Sequence, residues 1–183
     1  MAYDFSSFKK ATEGAYEWLK REYTGIRTGR ATPSILDVVS VESYGSKMPI
    51  NQLATVSVEG PKSLRITPWD KTVAKSIDAS IRESNLGLSV SVDDQGLRVV
   101  FPELTSDRRT TLIKVAKEKL EESRIAVRTE REKTLGEIDK KEKEGHIGED
   151  EKFRLRNELQ KMVDEINKKL EDLFDKKEKE IQE

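Results

Sequence analysis

Apolar residues recur at helical spacing along the first stretch of the chain: Phe5, Phe8, Ala15, Leu19 and Ile26 form one stripe, with Thr12 and Glu22 in its two polar gaps. The pattern predicts a long amphipathic helix from Asp4 onward. Asp4, Ser6 or Ser7 can cap it, Tyr16, Trp18 and Tyr23 widen its buried face, and Gly14 and Gly25 weaken it locally. The period changes at Ile26-Arg27-Thr28-Gly29-Arg30-Ala31-Thr32-Pro33. Beyond this seam Val39 and Val41 alternate with Ser40 and Glu42, and Tyr44-Gly45-Ser46-Lys47 reads as a turn into Met48-Pro49-Ile50. Residues 55–58 and 63–66 alternate on either side of a Glu59-Gly60-Pro61-Lys62 turn. Asp70, after Pro68-Trp69, can cap a helix with Val73, Ile77 and Ile81 on one face, stopped by Asn85-Leu86-Gly87. Residues 88–92 and 97–101 flank Asp93-Asp94-Gln95-Gly96, the clearest hairpin signal in the chain.

A second seam, Phe101-Pro102-Glu103-Leu104-Thr105, restores the helical period. Thr105 or Ser106 can cap a helix on which Ile113, Leu120 and Val127 recur every seven residues beside Ala116 and Ser123, running to the charged residues 140–144. Gly145 and Gly148 punctuate the chain, and Glu149, Asp150 and Glu151 place negative charge on the first turn of a last helix. Its apolar edge reads Leu155, Leu159, Met162, Ile166, Leu170, Leu173 and Ile181. The expected fold is α+β: a long, discontinuous three-helix bundle domain of residues 1–29 and 105–183, with a small β/α/β domain of residues 30–104 inserted into it. With two helical partners in the same chain, the C-terminal leucine edge is expected to pack internally, and Trp69 to pack in or beside the core.

Composition narrows the function. With 38% charged and 34% hydrophobic residues in 183, the chain favours charged helices with thin cores over a deep enzyme pocket. It has no cysteine, which excludes thiol catalysis, disulfides and thiolate metal sites. His146, the single histidine, sits in Glu144-Gly145-His146-Ile147-Gly148 and reads as an exposed loop residue. The two glycine turns at 45 and 60 lack the ending of a phosphate loop, and Asp93-Asp94 is explained by its hairpin. No enzyme activity, cofactor or metal is expected. The N-terminus lacks a signal peptide's basic and apolar regions and no segment suits a bilayer, so a cytoplasmic protein without a membrane partner is expected. The net charge of −1 averages a basic excess in the first helical segment against an acidic excess in the last.

One candidate for chemistry remains. Arg124, Arg128 and Arg131 sit at i, i+4 and i+7 and project from one side of a helix, and Arg109, Lys117 and Arg27 can extend that surface. Guanidinium groups contact phosphate oxygens in pairs and need no pocket. A solvated face balanced by Glu121, Glu130 and Glu132 explains the same spacing, and spacing alone favours it.

The residues also resemble a known family. Arg27-Thr28-Gly29-Arg30-Ala31-Thr32-Pro33, Leu36-Asp37, Tyr44-Gly45, Gln52-Leu53-Ala54, Ser84-Asn85-Leu86-Gly87-Leu88, Pro102-Glu103-Leu104-Thr105-Ser106-Asp107-Arg108-Arg109 and Ala126-Val127-Arg128-Thr129-Glu130-Arg131 stand in the order found in bacterial ribosome recycling factors. The resemblance implies an L-shaped monomer with the outline of a transfer RNA. Its bundle would lie on large-subunit rRNA at the subunit interface of the ribosome, and elongation factor G with GTP would act on the inserted arm. Together they would split the post-termination ribosome and release it from messenger RNA, with no DNA involved. Arg128 and Arg131 match the family's basic residues on the RNA-facing helix, and Arg27 and Arg30 match its Arg-Thr-Gly-Arg seam. With the stripe and its extensions, the expected rRNA-binding set is Arg27, Arg30, Arg109, Lys117, Arg124, Arg128 and Arg131. Gly29, Arg30, Ala31, Thr32 and Pro33, with Pro102, Glu103, Leu104 and Thr105, are the expected hinge. The chain departs from the family pattern at Glu132, where many relatives carry a second arginine, at Ser89-Val90 in place of Asn-Pro, and at Gly148 in place of a capping serine. A helical chaperone or scaffold would leave the seam and the inserted domain unused, and a hydrolase lacks its nucleophile and base.

Overall fold

A computed structural model of the chain describes residues 3–43 and 45–183. Tyr44, the first residue of the turn expected at 44–47, lies outside the described residues, as do Met1 and Ala2 of the N-terminal reading. The helices are α1 (Ser6–Thr24), α2 (Ala74–Glu83), α3 (Ser106–Lys143) and α4 (Glu149–Gln182). The strands are β1 (Ser40–Ser43), β2 (Ser46–Pro49), β3 (Ala54–Gly60), β4 (Ser63–Pro68), β5 (Ser89–Asp93) and β6 (Gly96–Val100). The chain divides into two compact units, Met1–Tyr23 with Lys114–Lys177, and Thr24–Ile113 with Glu178–Glu183.

The first unit packs α1, α3 and α4 as a bundle. Asp4 starts α1, its carboxylate accepting from the Ser6 backbone at 2.8 Å and the Ser6 hydroxyl at 2.7 Å. Thr12, the polar gap in the stripe, is buried and donates its hydroxyl to the Phe8 carbonyl at 2.9 Å, so nothing polar is left unmet. Small residues on α3 let α1 approach: Tyr23 donates to the Ala116 carbonyl at 2.9 Å and Ser123 to the Ala15 carbonyl at 3.4 Å. On the part of α4 in this unit the buried positions are Leu155, Leu159, Val163, Ile166, Leu170, Phe174 and Lys177, and Ile181, also buried, belongs to the second unit. Val163 and Phe174 take the places expected for Met162 and Leu173, which are only half-buried. The steps of four, four and three repeat every eleven residues, a period of about 3.67 residues per turn that drifts more slowly around the helix than a seven-residue repeat and in the opposite sense.

The second unit holds the β1–β2 hairpin and a four-stranded antiparallel sheet in the order β3-β4-β6-β5. One sheet face, with Leu64, Ile66, Val90, Leu97 and Val99, is buried with Ile77 and Ile81 of α2. Residues 33–38 form a 3-10 helix that buries Ile35 and Leu36, so the strand expected from Val39 begins one residue later. Asp70 accepts from the Thr72 backbone at 2.8 Å, capping a 3-10 turn that leads into α2. Trp69 corrects the sequence expectation. It is 69% exposed because it lies past the end of β4, outside the buried face, with its indole N–H 3.3 Å from the Thr55 hydroxyl. Gly96 closes the β5–β6 turn at φ 132°, and a Cβ there would lie 2.2 Å from the Ile66 carbonyl, so the position admits only glycine.

Within this unit Arg27 is the central tie. It is 7% exposed, donates to the Gly87 carbonyl at 2.7 Å and to the Pro102 carbonyl, and lies 5.9 Å from the Phe101 ring. Burial, then the neighbouring Arg108, lowers its pKa from the ordinary arginine value. The β3–β4 turn also braces both seams: Pro61 accepts from the Ala31 backbone at 2.9 Å and Lys62 from the Phe101 backbone at 2.8 Å. Replacing Arg27 by Met should lower the stability of this unit by about 2 kcal/mol, since the charged hydrogen bonds go and two carbonyls lose their donor. An unchanged urea midpoint for Arg27→Met would refute that role.

The other sheet face carries an ion-pair network. Arg65 bridges Glu59 at 2.8 Å and Asp93 at 2.5 Å, and Arg98 reaches Glu59 at 2.6 Å. Hydrogen bonds from Arg98 and then Arg65 pull the Glu59 carboxyl from 4.5 down to about 2. A depressed folded-state pKa stabilises above the unfolded value and is lost as pH falls through the folded one. The thermal midpoint of the wild type should therefore drop more steeply than that of Glu59→Gln between pH 4.5 and about 2. Parallel curves would show that the network adds nothing.

Candidate RNA-facing surface

An α-helix turns once every ~3.6 residues, so Lys117, Arg124, Arg128 and Arg131 share one face of α3. Val127, buried in the bundle beside them, anchors that part of the helix. The arginines differ in what they touch. Arg124 is held by an ion pair to Glu171 of α4. Arg131 pairs with Glu132 at 2.7 Å and donates to the Gln160 side-chain carbonyl at 3.3 Å, while the Gln160 amide donates to Asp164 at 2.8 Å. Arg128 is exposed and forms no ion pair or hydrogen bond with any described residue. Tyr23 lies near the same carboxylate. Burial foremost, then Glu171, raises its pKa, which keeps the hydroxyl a proton donor to Ala116.

Between α3 and α4 runs an open groove of about 500 Å³. Val127 and Val163 form its floor, Arg124, Arg128, Arg131 and Glu132 its α3 side, and Gln160 and Asn167 its α4 side. The antiparallel register sets these pairings. Each α3 residue faces the α4 residue about as far beyond the connecting loop as it lies before it, and the loop-proximal pairs Arg156–Asp139 at 2.7 Å and Lys152–Glu142 at 3.0 Å obey the same rule. A free guanidinium at the edge of an apolar floor can hold a phosphate, and its paired neighbours can do so only by exchanging a carboxylate for it.

The remaining basic residues of the sequence-derived set lie in the second unit. Arg30 is exposed and pairs with Glu183 at 3.0 Å. Arg109 is half-buried and donates to the Gln182 carbonyl, with its Nε buried and without a hydrogen-bond partner. Arg27 departs from the expectation of a solvent-facing contact, because its two terminal nitrogens are spent on interior carbonyls while its Nε is buried without a hydrogen-bond partner. The expected hinge residues also fall in the second unit. Ala31 is bonded to Pro61, Thr32 and Pro33 open the 3-10 helix, Glu103 pairs with Lys62 at 2.7 Å, and Leu104 is buried. A Cβ on Gly29 would lie 3.3 Å from the Glu183 carbonyl carbon. Thr105 accepts from the Arg108 backbone at 3.3 Å.

Sequence reasoning missed Glu171, Gln160 and Asn167, which lie on one side of α4. Their spacing was visible, but their α3 partners emerge only once the two helices are set antiparallel about the 144–148 loop. His146 is exposed in that loop, and among the described residues no group of His, Asp or Glu could hold a metal ion and no helix is long and apolar enough to cross a membrane.

Comparison with known proteins gives these features a context. The ribosome recycling factor family matches residues 19–181. The ribosome-recycling factor of Sinorhizobium fredii is 43% identical over 178 residues, covering 97% of this chain and 96% of the relative, and that of Rhizobium meliloti is 42% identical over the same shares. The solution structure of a ribosome recycling factor superposes with a TM-score of 0.76 at 38% identity, covering 97% of this chain and 95% of the other. A second structural match has a TM-score of 0.68 at 38% identity, covering 97% and 96%. It comes from a description of the T. thermophilus ribosome recycling factor and E. coli elongation factor G bound to the E. coli post-termination complex. Matched along nearly its whole length in both sequence and fold, the chain belongs to the ribosome recycling factor family.

Proposed function

We propose that this protein dissociates the post-termination ribosome into subunits together with elongation factor G and GTP, freeing it from messenger RNA for another round of translation. The observation that carries the reading is the likeness to a solved recycling factor over 97% of the chain at 38% identity. The T. thermophilus relative described with elongation factor G on a post-termination complex supports the two partners. The protein works as a cytoplasmic monomer, with the nucleotide chemistry left to the elongation factor.

In this reading the α3 face rests on large-subunit rRNA. Each phosphate neutralised releases condensed counterions, so binding is salt-dependent and needs no base code. Arg128 and Lys117 are open to phosphate at once. Arg124 and Arg131 engage by giving up Glu171 and Glu132, and Arg30 and Arg109 add contacts from the other unit. Arg27 serves from the interior by holding the seam. The bundle domain, residues 1–29 with 105–183, takes the RNA, and the inserted domain, residues 30–104, receives the push of the elongation factor. The seams at 29–33 and 102–105 absorb the movement between them, which the glycine and proline chemistry of Gly29, Pro33 and Pro102 suits.

Light scattering of post-termination ribosomes tests the reading directly. The signal should fall only when this protein, a cognate elongation factor G and GTP are all present, and no fall with all three would overturn it. On the RNA face, Arg128→Ala should weaken ribosome binding and flatten the slope of log affinity against log salt by about 1. Glu132→Gln, which spares Arg131 that exchange of partners, should strengthen binding. If Arg128→Ala leaves the slope unchanged, α3 does not sit on phosphates.

A further inference from the structure

The groove between α3 and α4 holds more than a phosphate contact requires. The groove is open to solvent and lies above the packed interior of the bundle. Here the Val127 and Val163 side chains, 2% and 7% exposed, close the bottom, and about 500 Å³ stays open above them. Of the polar side chains around it, Arg124, Arg131, Glu132 and Gln160 are occupied with one another or with Glu171 and Asp164. Two are not: neither Arg128 nor Asn167 has a hydrogen bond or ion pair to a described residue, and they stand on opposite sides of the groove.

These three features match the phosphate of a nucleotide and the face and edge of its base. An apolar floor accepts a base, a guanidinium accepts a phosphate, and a free amide carries a donor and an acceptor side by side. The amide pattern complements the N6 amino group and N7 of adenine, the pairing by which asparagine reads that base. Packed helices stand only ~8–10 Å apart, which leaves no room for a base pair. An unstacked base fits such a slot, as it does in sequence-selective RNA recognition generally. The exposed cation at the rim gives RNA the advantage over an apolar protein side chain, which would leave Arg128 unanswered.

We propose that the α3–α4 groove is a subsite for one unstacked adenosine of bulged or single-stranded RNA, with its phosphate on Arg128, its base over Val127 and Val163, and its edge on Asn167. The proposal rests on the reading of the α3 face as RNA-binding and gives that face a base preference, which phosphate contacts alone cannot supply.

The test uses fluorescence anisotropy of the full chain with two labelled RNA hairpins, one with a single bulged adenosine and one with an abasic residue at the same place. The adenosine hairpin should bind about fivefold more tightly. Asn167→Ala, which places a better helix former on a half-exposed helical site, should bring the ratio to about one while leaving the abasic affinity unchanged. Arg128→Ala should weaken both hairpins alike. Equal affinity of the wild type for the two hairpins, or a ratio untouched by Asn167→Ala, overturns the nucleotide subsite. The α3 phosphate reading survives that result if Arg128→Ala weakens both hairpins, and falls with it if Arg128→Ala weakens neither.

Discussion

The antiparallel packing of α3 on α4 is the constraint on which the candidate surface depends. The eleven-residue stripe of α4 keeps Val163, Ile166 and Leu170 aimed into the bundle, and the 144–148 loop fixes the register. That register brings Glu171 to Arg124 and Gln160 to Arg131, and leaves Arg128 and Asn167 facing an open slot. A shift of one residue along α4 would turn the stripe by ~100° and break all of these relations together. The electrostatics of the face is therefore a product of core packing, even though its charged groups are at the surface.

The two charged surfaces of the protein use arginine in opposite ways. On the sheet, Arg65 is committed to Glu59 and Asp93 and Arg98 to Glu59, a closed set in which every charge has its partner. On α3 the set is incomplete, since two arginines carry carboxylates and the one between them does not. Closed networks hold a fold together, whereas an unmatched cation is available to a ligand. A net charge of −1 conceals this difference entirely.

Periodicity made much of this structure legible. The helices, the hairpin closed at Gly96, the helix capped near Asp70 and the shared face of Lys117, Arg124, Arg128 and Arg131 all follow from local spacing and turn chemistry. What could not be read depends on residues far apart in the chain. Arg27 looks like a surface cation until the carbonyls of Gly87 and Pro102, 60 and 75 residues away, surround it. Trp69 looks like core until the strand ends beneath it. Val163 and Phe174 replace Met162 and Leu173 because the choice between two apolar neighbours belongs to the opposing helices. The 3-10 helix at 33–38 sits where the sequence showed only a change of period, since a single short turn carries no period of its own.

The turn between β3 and β4 has a consequence for anyone handling this protein. Seen as sequence, Gly60-Pro61-Lys62 is an ordinary hairpin tip, the sort of place chosen for a fluorescent label, an epitope or new chain ends. In the structure its two carbonyls are the fixed posts to which the chain is moored on its way into and out of the sheet region, one through Ala31 and the other through Phe101. Cutting or lengthening that tip would unmoor both passages at once. The loop at Gly145 and His146 is exposed, and a graft there would leave both moorings intact.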